Sequence, residues 1–121
     1  MKTLTGRCLC GACSFALDGP HNFVGHCHCD SCRRATASPM TTFIGQPDGF
    51  WRWTGAPPAT YRSSPGVTRR FCATCGSPLF YRSDTQPGEV HFYAALLDDP
   101  EAVTPSEAFH TDERLAWMKG G

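Results

Sequence analysis

All eight cysteines of this 121-residue chain fall at CxC or CxxC spacing, as Cys8-x-Cys10-x-x-Cys13, Cys27-x-Cys29-x-x-Cys32 and Cys72-x-x-Cys75. No other feature limits the fold as much. A domain this small buries only a modest core unless something cross-links it, so the cysteines are its expected staples. Whether they act as disulfides or as metal ligands depends on the compartment. The segment Met1–Cys8 has no apolar run long enough for the core of a signal peptide, and no later stretch approaches the length of a membrane span. The expectation is a cytoplasmic protein without a membrane segment, in which closely spaced cysteines hold metal or do chemistry. The CxC pairs argue the same way, because their residues stand too close for an easy bridge.

In an extended strand residues two apart point to the same face, so Cys8 with Cys10, and Cys27 with Cys29, can each direct two sulfurs at one metal. Cys72-Ala73-Thr74-Cys75-Gly76 is the other common ligand unit, a tight turn whose amides face the sulfurs and whose glycine relieves the backbone. A pincer and a turn of this kind supply the four donors of a tetrahedral zinc site. Spacing leaves the partners open: Cys72 and Cys75 can join Cys8 and Cys10, or Cys27 and Cys29. In the first arrangement Cys27, Cys29 and Cys32 remain as three thiolates with the fourth position free, which is the layout of catalytic zinc. His26 and His28 flank Cys27, and either one would close that site. Two closed four-cysteine sites would instead make the chain a structural zinc protein or an interaction module. The matching spacing of Cys8, Cys10, Cys13 and Cys27, Cys29, Cys32 has no flanking similarity and is read as chance before duplication.

Ten prolines and twelve glycines punctuate short β-rich segments at Cys13–Leu17, Met40–Ile44, Phe50–Trp53, Pro78–Tyr81 and Glu89–Ala94. These predict one antiparallel β domain over residues 1–121, with loops at Gly55–Pro58 and Ser63–Gly66. Helix is expected only as a turn or two at Asp30–Ala35 and a short segment at Glu113–Trp117. Eleven basic and eleven acidic residues cancel, and a pI near 6.9 with no basic tail makes a nucleic-acid partner a poor expectation.

Four stretches together resemble the glutathione-dependent formaldehyde-activating enzymes, a family that also includes the centromere protein V group. They are Gly6-Arg7-Cys8-Leu9-Cys10-Gly11; Cys27-His28-Cys29-Asp30-Ser31-Cys32-Arg33-Arg34; Arg70-Phe71-Cys72-Ala73-Thr74-Cys75-Gly76-Ser77-Pro78-Leu79; and Leu97-Asp98-Asp99-Pro100 with His110 and Trp117 in the tail. The resemblance implies a β-tent fold cross-linked by a structural zinc on Cys8, Cys10, Cys72 and Cys75. It implies a second, catalytic zinc on Cys27, Cys29 and Cys32, so two zinc ions per chain. The implied activity is condensation of glutathione with formaldehyde to S-(hydroxymethyl)glutathione, formally a carbon–sulfur lyase reaction in reverse. Two residues depart from the family pattern: Cys13 stands where a small or aliphatic residue is expected, and Ala37 where glycine is more frequent.

Zinc held by three thiolates is a weaker electrophile than zinc held by histidines, so its natural task is to bind and activate a thiol rather than water. Glutathione is anionic, and Arg33 and Arg34, directly after Cys32, are the first candidates to hold it, with one of Arg69 and Arg70 expected to face the site. His110 is expected at the surface, and Trp51 and Trp53 as core or pocket wall. The alternative of another class is a zinc-stabilised glutathione carrier or protein-binding module without turnover. The oligomeric state is not legible.

Overall fold

A computed structural model of the chain describes residues 3–118; residues 1, 2 and 119–121 of the expected single domain lie outside that range. Ten strands form two sheets among the described residues: β1 (Leu4–Arg7), β2 (Ser14–Leu17), β3 (Phe23–Cys27), β4 (Thr41–Pro47), β5 (Trp51–Trp53), β6 (Ala59–Ser64), β7 (Val67–Phe71), β8 (Pro78–Ser83), β9 (Glu89–Tyr93) and β10 (Glu107–Phe109). One helix, α1 (Asp30–Thr36), follows β3. The smaller sheet runs β1-β2-β5 and the larger β10-β3-β4-β9-β8-β7-β6. The chain is thus mainly β, and every strand pair is antiparallel except β10 with β3, which is parallel. Among the described residues no helix is long and apolar enough to cross a membrane.

The larger sheet works with both faces. Ile44 of β4, Val90 and Phe92 of β9 and Phe80 of β8 point toward the smaller sheet, where they meet Phe15 and Leu17 of β2 in the main core. Trp51 and Trp53 of β5 pack on that cluster with tilted rings, each within 5.8 Å of the Phe80 and Phe92 rings. Phe15 and Phe92 have no exposed surface, and truncating either to alanine removes burial worth about 3–5 kcal/mol. The opposite face of the same strands carries Phe23 and Cys27 of β3, Phe43 of β4, Tyr81 of β8 and Tyr93 of β9, which with Cys32 of α1 form a second cluster. Alternation along each strand therefore separates the structural core from the face that holds the second cysteine group.

Two local expectations are corrected. Ser63 and Ser64 belong to β6, which turns at Pro65 and Gly66 into β7; the pairing of the two strands carries a register shift between Arg62 and Ser64. No helix spans Glu113–Trp117. A 3₁₀ turn at Thr111–Glu113 ends on its first residue, and Trp117 is exposed, so no burial offsets the entropy of ordering that segment further. The β10 strand was not expected, being three residues long and paired far from its own sequence neighbours.

Candidate functional site

The segment after β1 turns back so that the Cys8 and Cys10 sulfurs stand 3.6 Å apart. The turn between β7 and β8 brings Cys72 to 3.7 Å from Cys10, and the four sulfurs of Cys8, Cys10, Cys72 and Cys75 all lie within 4.8 Å of one another. Of the two pairings that spacing allowed, the structure has this one. Gly76 takes φ 81°, a left-handed conformation that lets its N–H reach the Cys72 carbonyl at 2.8 Å and close the turn. Ser77 ties the two units together: its Oγ accepts from the Leu9 N–H at 3.0 Å and lies 3.3 Å from Cys75 Sγ. Ser77 first, then backbone amides, holds the Cys75 thiol down to about 5, and the Cys75 N–H does the same for Cys72 in direction. Cys13 sits beside this group without joining it. Burial pushes its thiol up to about 11, so it remains a protonated core side chain whose N–H donates to Cys8 Sγ at 3.3 Å.

The second group lies at the β3–α1 junction. Cys27 ends β3 and points to the second face of the large sheet. Cys29 caps α1, its Sγ accepting from the Cys32 N–H at 3.3 Å, and Cys32 lies one turn along with its side chain buried. The Cys27 sulfur stands 3.5 Å from Cys29 and 3.7 Å from Cys32. A tetrahedron with Zn–S bonds of about 2.3 Å has edges of about 3.8 Å, so both groups match the donor spacing that zinc requires. Charge supports the fit. Hydrogen bonds from Cys27, and then from Cys29 and Arg69, draw Cys32 down to about 5 against the effect of its burial, while Cys27 is pushed well up by its bond to Cys32 and by burial. Thiolates this close repel one another, and a bound cation would relieve that repulsion. Among the described residues no His, Asp or Glu joins these three sulfurs within 4.8 Å. His26 bonds to Thr42 through Nδ1 at 2.9 Å, and His28 is fully buried.

Two clefts meet at the three cysteines. The larger, about 870 Å³, has Cys29 and Cys32 at one end and Arg34, Tyr61, Arg69 and Arg70 along its sides. The smaller, about 510 Å³, is lined by Cys27, Cys29 and Cys32 together with Phe23, Phe43, Glu89 and His91. His110 stands on the rim of both, its Nδ1 3.4 Å from Glu113. The common floor is one cross-strand row: Tyr61 opposite Arg69, Arg69 opposite Tyr81, Tyr81 opposite His91, His91 opposite Gly45, and Gly45 opposite Phe23. Gly45 is required there, since a Cβ at that position would stand 2.2 Å from the Phe23 ring.

Arg69 is the arginine turned to the site. Its guanidinium lies 5.0 Å over the Tyr81 ring, donates to the Tyr93 hydroxyl at 3.4 Å and attracts the Cys32 thiolate. Arg70, one residue on, packs instead over Trp53 and Phe80 and bonds Thr60. Asp30 engages both other arginines, at 3.5 Å from Arg33 and 3.1 Å from Arg34; Arg34 is 81% exposed on the rim of the larger cleft, and Arg33 lines neither cleft. Sequence reasoning did not single out Tyr93, Glu89 or His91. The signal was available, because alternation in Glu89–Tyr93 puts those three on one face.

A family model described as glutathione-dependent formaldehyde-activating enzyme matches residues 3–113. The crystal structure of a Rhodobacter sphaeroides protein is similar in fold, with a TM-score of 0.69 at 23% identity over 87% of this chain and 98% of that one. No curated protein matches the sequence.

Proposed function

Because the chain belongs to the glutathione-dependent formaldehyde-activating enzyme family, we propose that it catalyses addition of glutathione or a similar thiol to formaldehyde or a related small electrophile. The product is an S-hydroxymethyl thioether alcohol, and the reverse is a carbon–sulfur lyase reaction. The observation that carries this reading is the three-cysteine group, its sulfurs at metal-ligand spacing, without a fourth His, Asp, Glu or Cys donor among the described residues and opening into two clefts.

In this reading Cys8, Cys10, Cys72 and Cys75 would hold a structural zinc joining the start of the chain to the β7–β8 turn, and Cys27, Cys29 and Cys32 would hold a second. Zinc on three thiolates would supply Lewis-acid character that favours a thiol as nucleophilic thiolate at neutral pH. The chain's own residues do the rest. Arg69, held by Tyr81 and Tyr93, presents positive charge beside Cys32 and attracts an anionic thiol into the larger cleft. Arg34 adds charge at the rim, weakened by Asp30 and by solvent. Phe23, Phe43 and Tyr81 give the smaller cleft an apolar wall that limits water around the reacting carbon.

The test is magnetisation-transfer NMR on a mixture of glutathione and formaldehyde, which exchange slowly without help. The expected result is faster exchange between free and hydroxymethylated glutathione on adding the protein. Binding of glutathione with the exchange rate unchanged would reduce the protein to a carrier and overturn the catalytic reading.

A further inference from the structure

We propose that the smaller cleft receives the electrophile and that His91, oriented by Glu89, carries the proton from the thiol to the new hydroxyl. This inference rests on the reading of the three-cysteine group as the thiol site. Its own basis is a carboxylate–imidazole pair on the wall of the cleft that those cysteines also line.

The Nε2 of His91 lies 2.8 Å from Glu89 Oε2, and the side chains are only 9% and 18% exposed. The other Glu89 oxygen accepts from Asn22 Nδ2 at 2.7 Å, which fixes the carboxylate. A carboxylate accepts only, so Nε2 carries the hydrogen and, in the neutral ring, Nδ1 keeps the lone pair. No group among the described residues hydrogen-bonds Nδ1. The ring is held on three sides: stacked on Tyr81 at 5.4 Å and 21°, edge-on to Phe23 at 5.1 Å, and tilted against Phe43 at 5.4 Å. A core histidine satisfied by a carboxylate would be packed away from solvent on all its polar atoms. This one is locked in orientation, has one basic nitrogen unused, and faces a cleft that it shares with Cys27, Cys29 and Cys32.

The division of the two clefts follows from their chemistry. The larger one has Arg69, with Arg34 at its rim, for an anionic thiol, and the smaller one has aromatic walls and an imidazole suited to a small uncharged carbonyl compound. In the step, the thiol's proton passes to Nδ1 of His91 and the sulfur's electron pair forms the C–S bond. The C=O π pair moves to oxygen, and that oxygen takes the proton back from Nδ1. The sum is an addition, with nothing oxidised or reduced.

The groups facing the imidazole are Glu89 on its own strand, Tyr81 on β8, Phe43 on β4, and Asn22 and Phe23 at the start of β3; Glu107 and His110 line the far side of the cleft. The experiment measures the pH profile of the glutathione–formaldehyde exchange rate for the wild type, His91→Gln and Glu89→Gln, alongside zinc content and glutathione affinity. For His91→Gln the expected result is a rate lower by about 10²-fold or more, the size of a general acid–base contribution. The imidazole limb should vanish from the profile while zinc content and glutathione affinity hold. Glu89→Gln should keep that limb and displace it, because the ring loses its carboxylate partner. If His91→Gln does not fold, the displaced limb in Glu89→Gln decides the matter. A wild-type profile and a rate within about twofold in His91→Gln, or an unmoved limb in Glu89→Gln, would overturn the inference while leaving the thiol site intact. Loss of exchange in Cys29→Ser, beside an indifferent His91→Gln, separates the two readings.

Discussion

Arg69 of β7 donates from Nη1 to the hydroxyl of Tyr93 on β9, 3.4 Å away over the intervening strand β8. Burial first, and against the pull of Arg69, pushes the Tyr93 hydroxyl up to about 12, so it stays protonated and serves as a fixed point for the guanidinium. Replacing Arg69 by Met should weaken glutathione binding at least about tenfold, the worth of one charge-assisted bond in a partly buried site. Lysine at the same place should recover part of the loss. Arg34→Ala, at an exposed position, should change affinity by about twofold at most. Calorimetric titration with glutathione checks all three, and an Arg34→Ala effect larger than that of Arg69→Met would reassign the anion site.

The two cysteine groups should separate stability from activity. Cys72→Ser removes a sulfur at the junction of the β7–β8 turn with the Cys8–Cys10 segment, 62 residues from Cys10, so the proposed structural zinc predicts a large fall in melting temperature or an unfolded chain. Cys29→Ser lies in a local loop and should melt within a few degrees of the wild type while exchange activity is lost. A strong chelator should act on the wild type in the same order, abolishing activity before it lowers the melting temperature. Thermal melts followed by circular dichroism, with activity taken on the same samples, show the order.

Ala37 closes α1 at φ 54° and ψ 38°, with its N–H donating to the Arg33 carbonyl. A side chain in the left-handed region is strained where glycine is not, so Ala37→Gly should stabilise the fold by about 1 kcal/mol and raise the melting temperature by about 4 °C. Unchanged stability would mean that the wild-type turn relaxes in solution.

Acid sensitivity has a local source at Asp48. Arg82 grips its carboxylate through two bonds of 2.9 and 3.1 Å, with the Trp51 indole donating as a third, and Arg82 chiefly holds the carboxyl below its usual range. In the unfolded chain the group returns to about 3.9. The stabilisation is therefore complete above that value and lost as pH falls through the lower, folded value. Both side chains are more than a third exposed, which leaves about 0.5 kcal/mol after screening. Arg82→Ala should cost that amount at neutral pH and nothing at the acid end, so urea midpoints of the two proteins should converge as pH falls.

Much of this arrangement is legible in the sequence, and the remainder has physical reasons for being hidden. The ligand units are local: a CxC pincer and a CxxC turn follow from backbone geometry, and Cys29 as cap of α1 follows from Asp30–Ala35 reading as a helical turn. The partnering of Cys10 with Cys72 is a long-range fact that spacing leaves open. The β6–β7 hairpin was hidden because Ser63, Ser64, Pro65 and Gly66 look alike as loop residues, although two of them extend a strand. The parallel pairing of Phe109 with Cys27 is set by the second aromatic cluster, where Phe109 lies 5.2 Å from Phe23 over the space that Gly25 leaves. No local pattern announces it.

The most direct check is the zinc content of the purified protein and its Cys29→Ser variant, measured by plasma mass spectrometry against amino-acid analysis. Two zinc ions per chain in the wild type and one in the variant are predicted. One zinc ion in both would contradict the claim that Cys27, Cys29 and Cys32 form the functional metal centre.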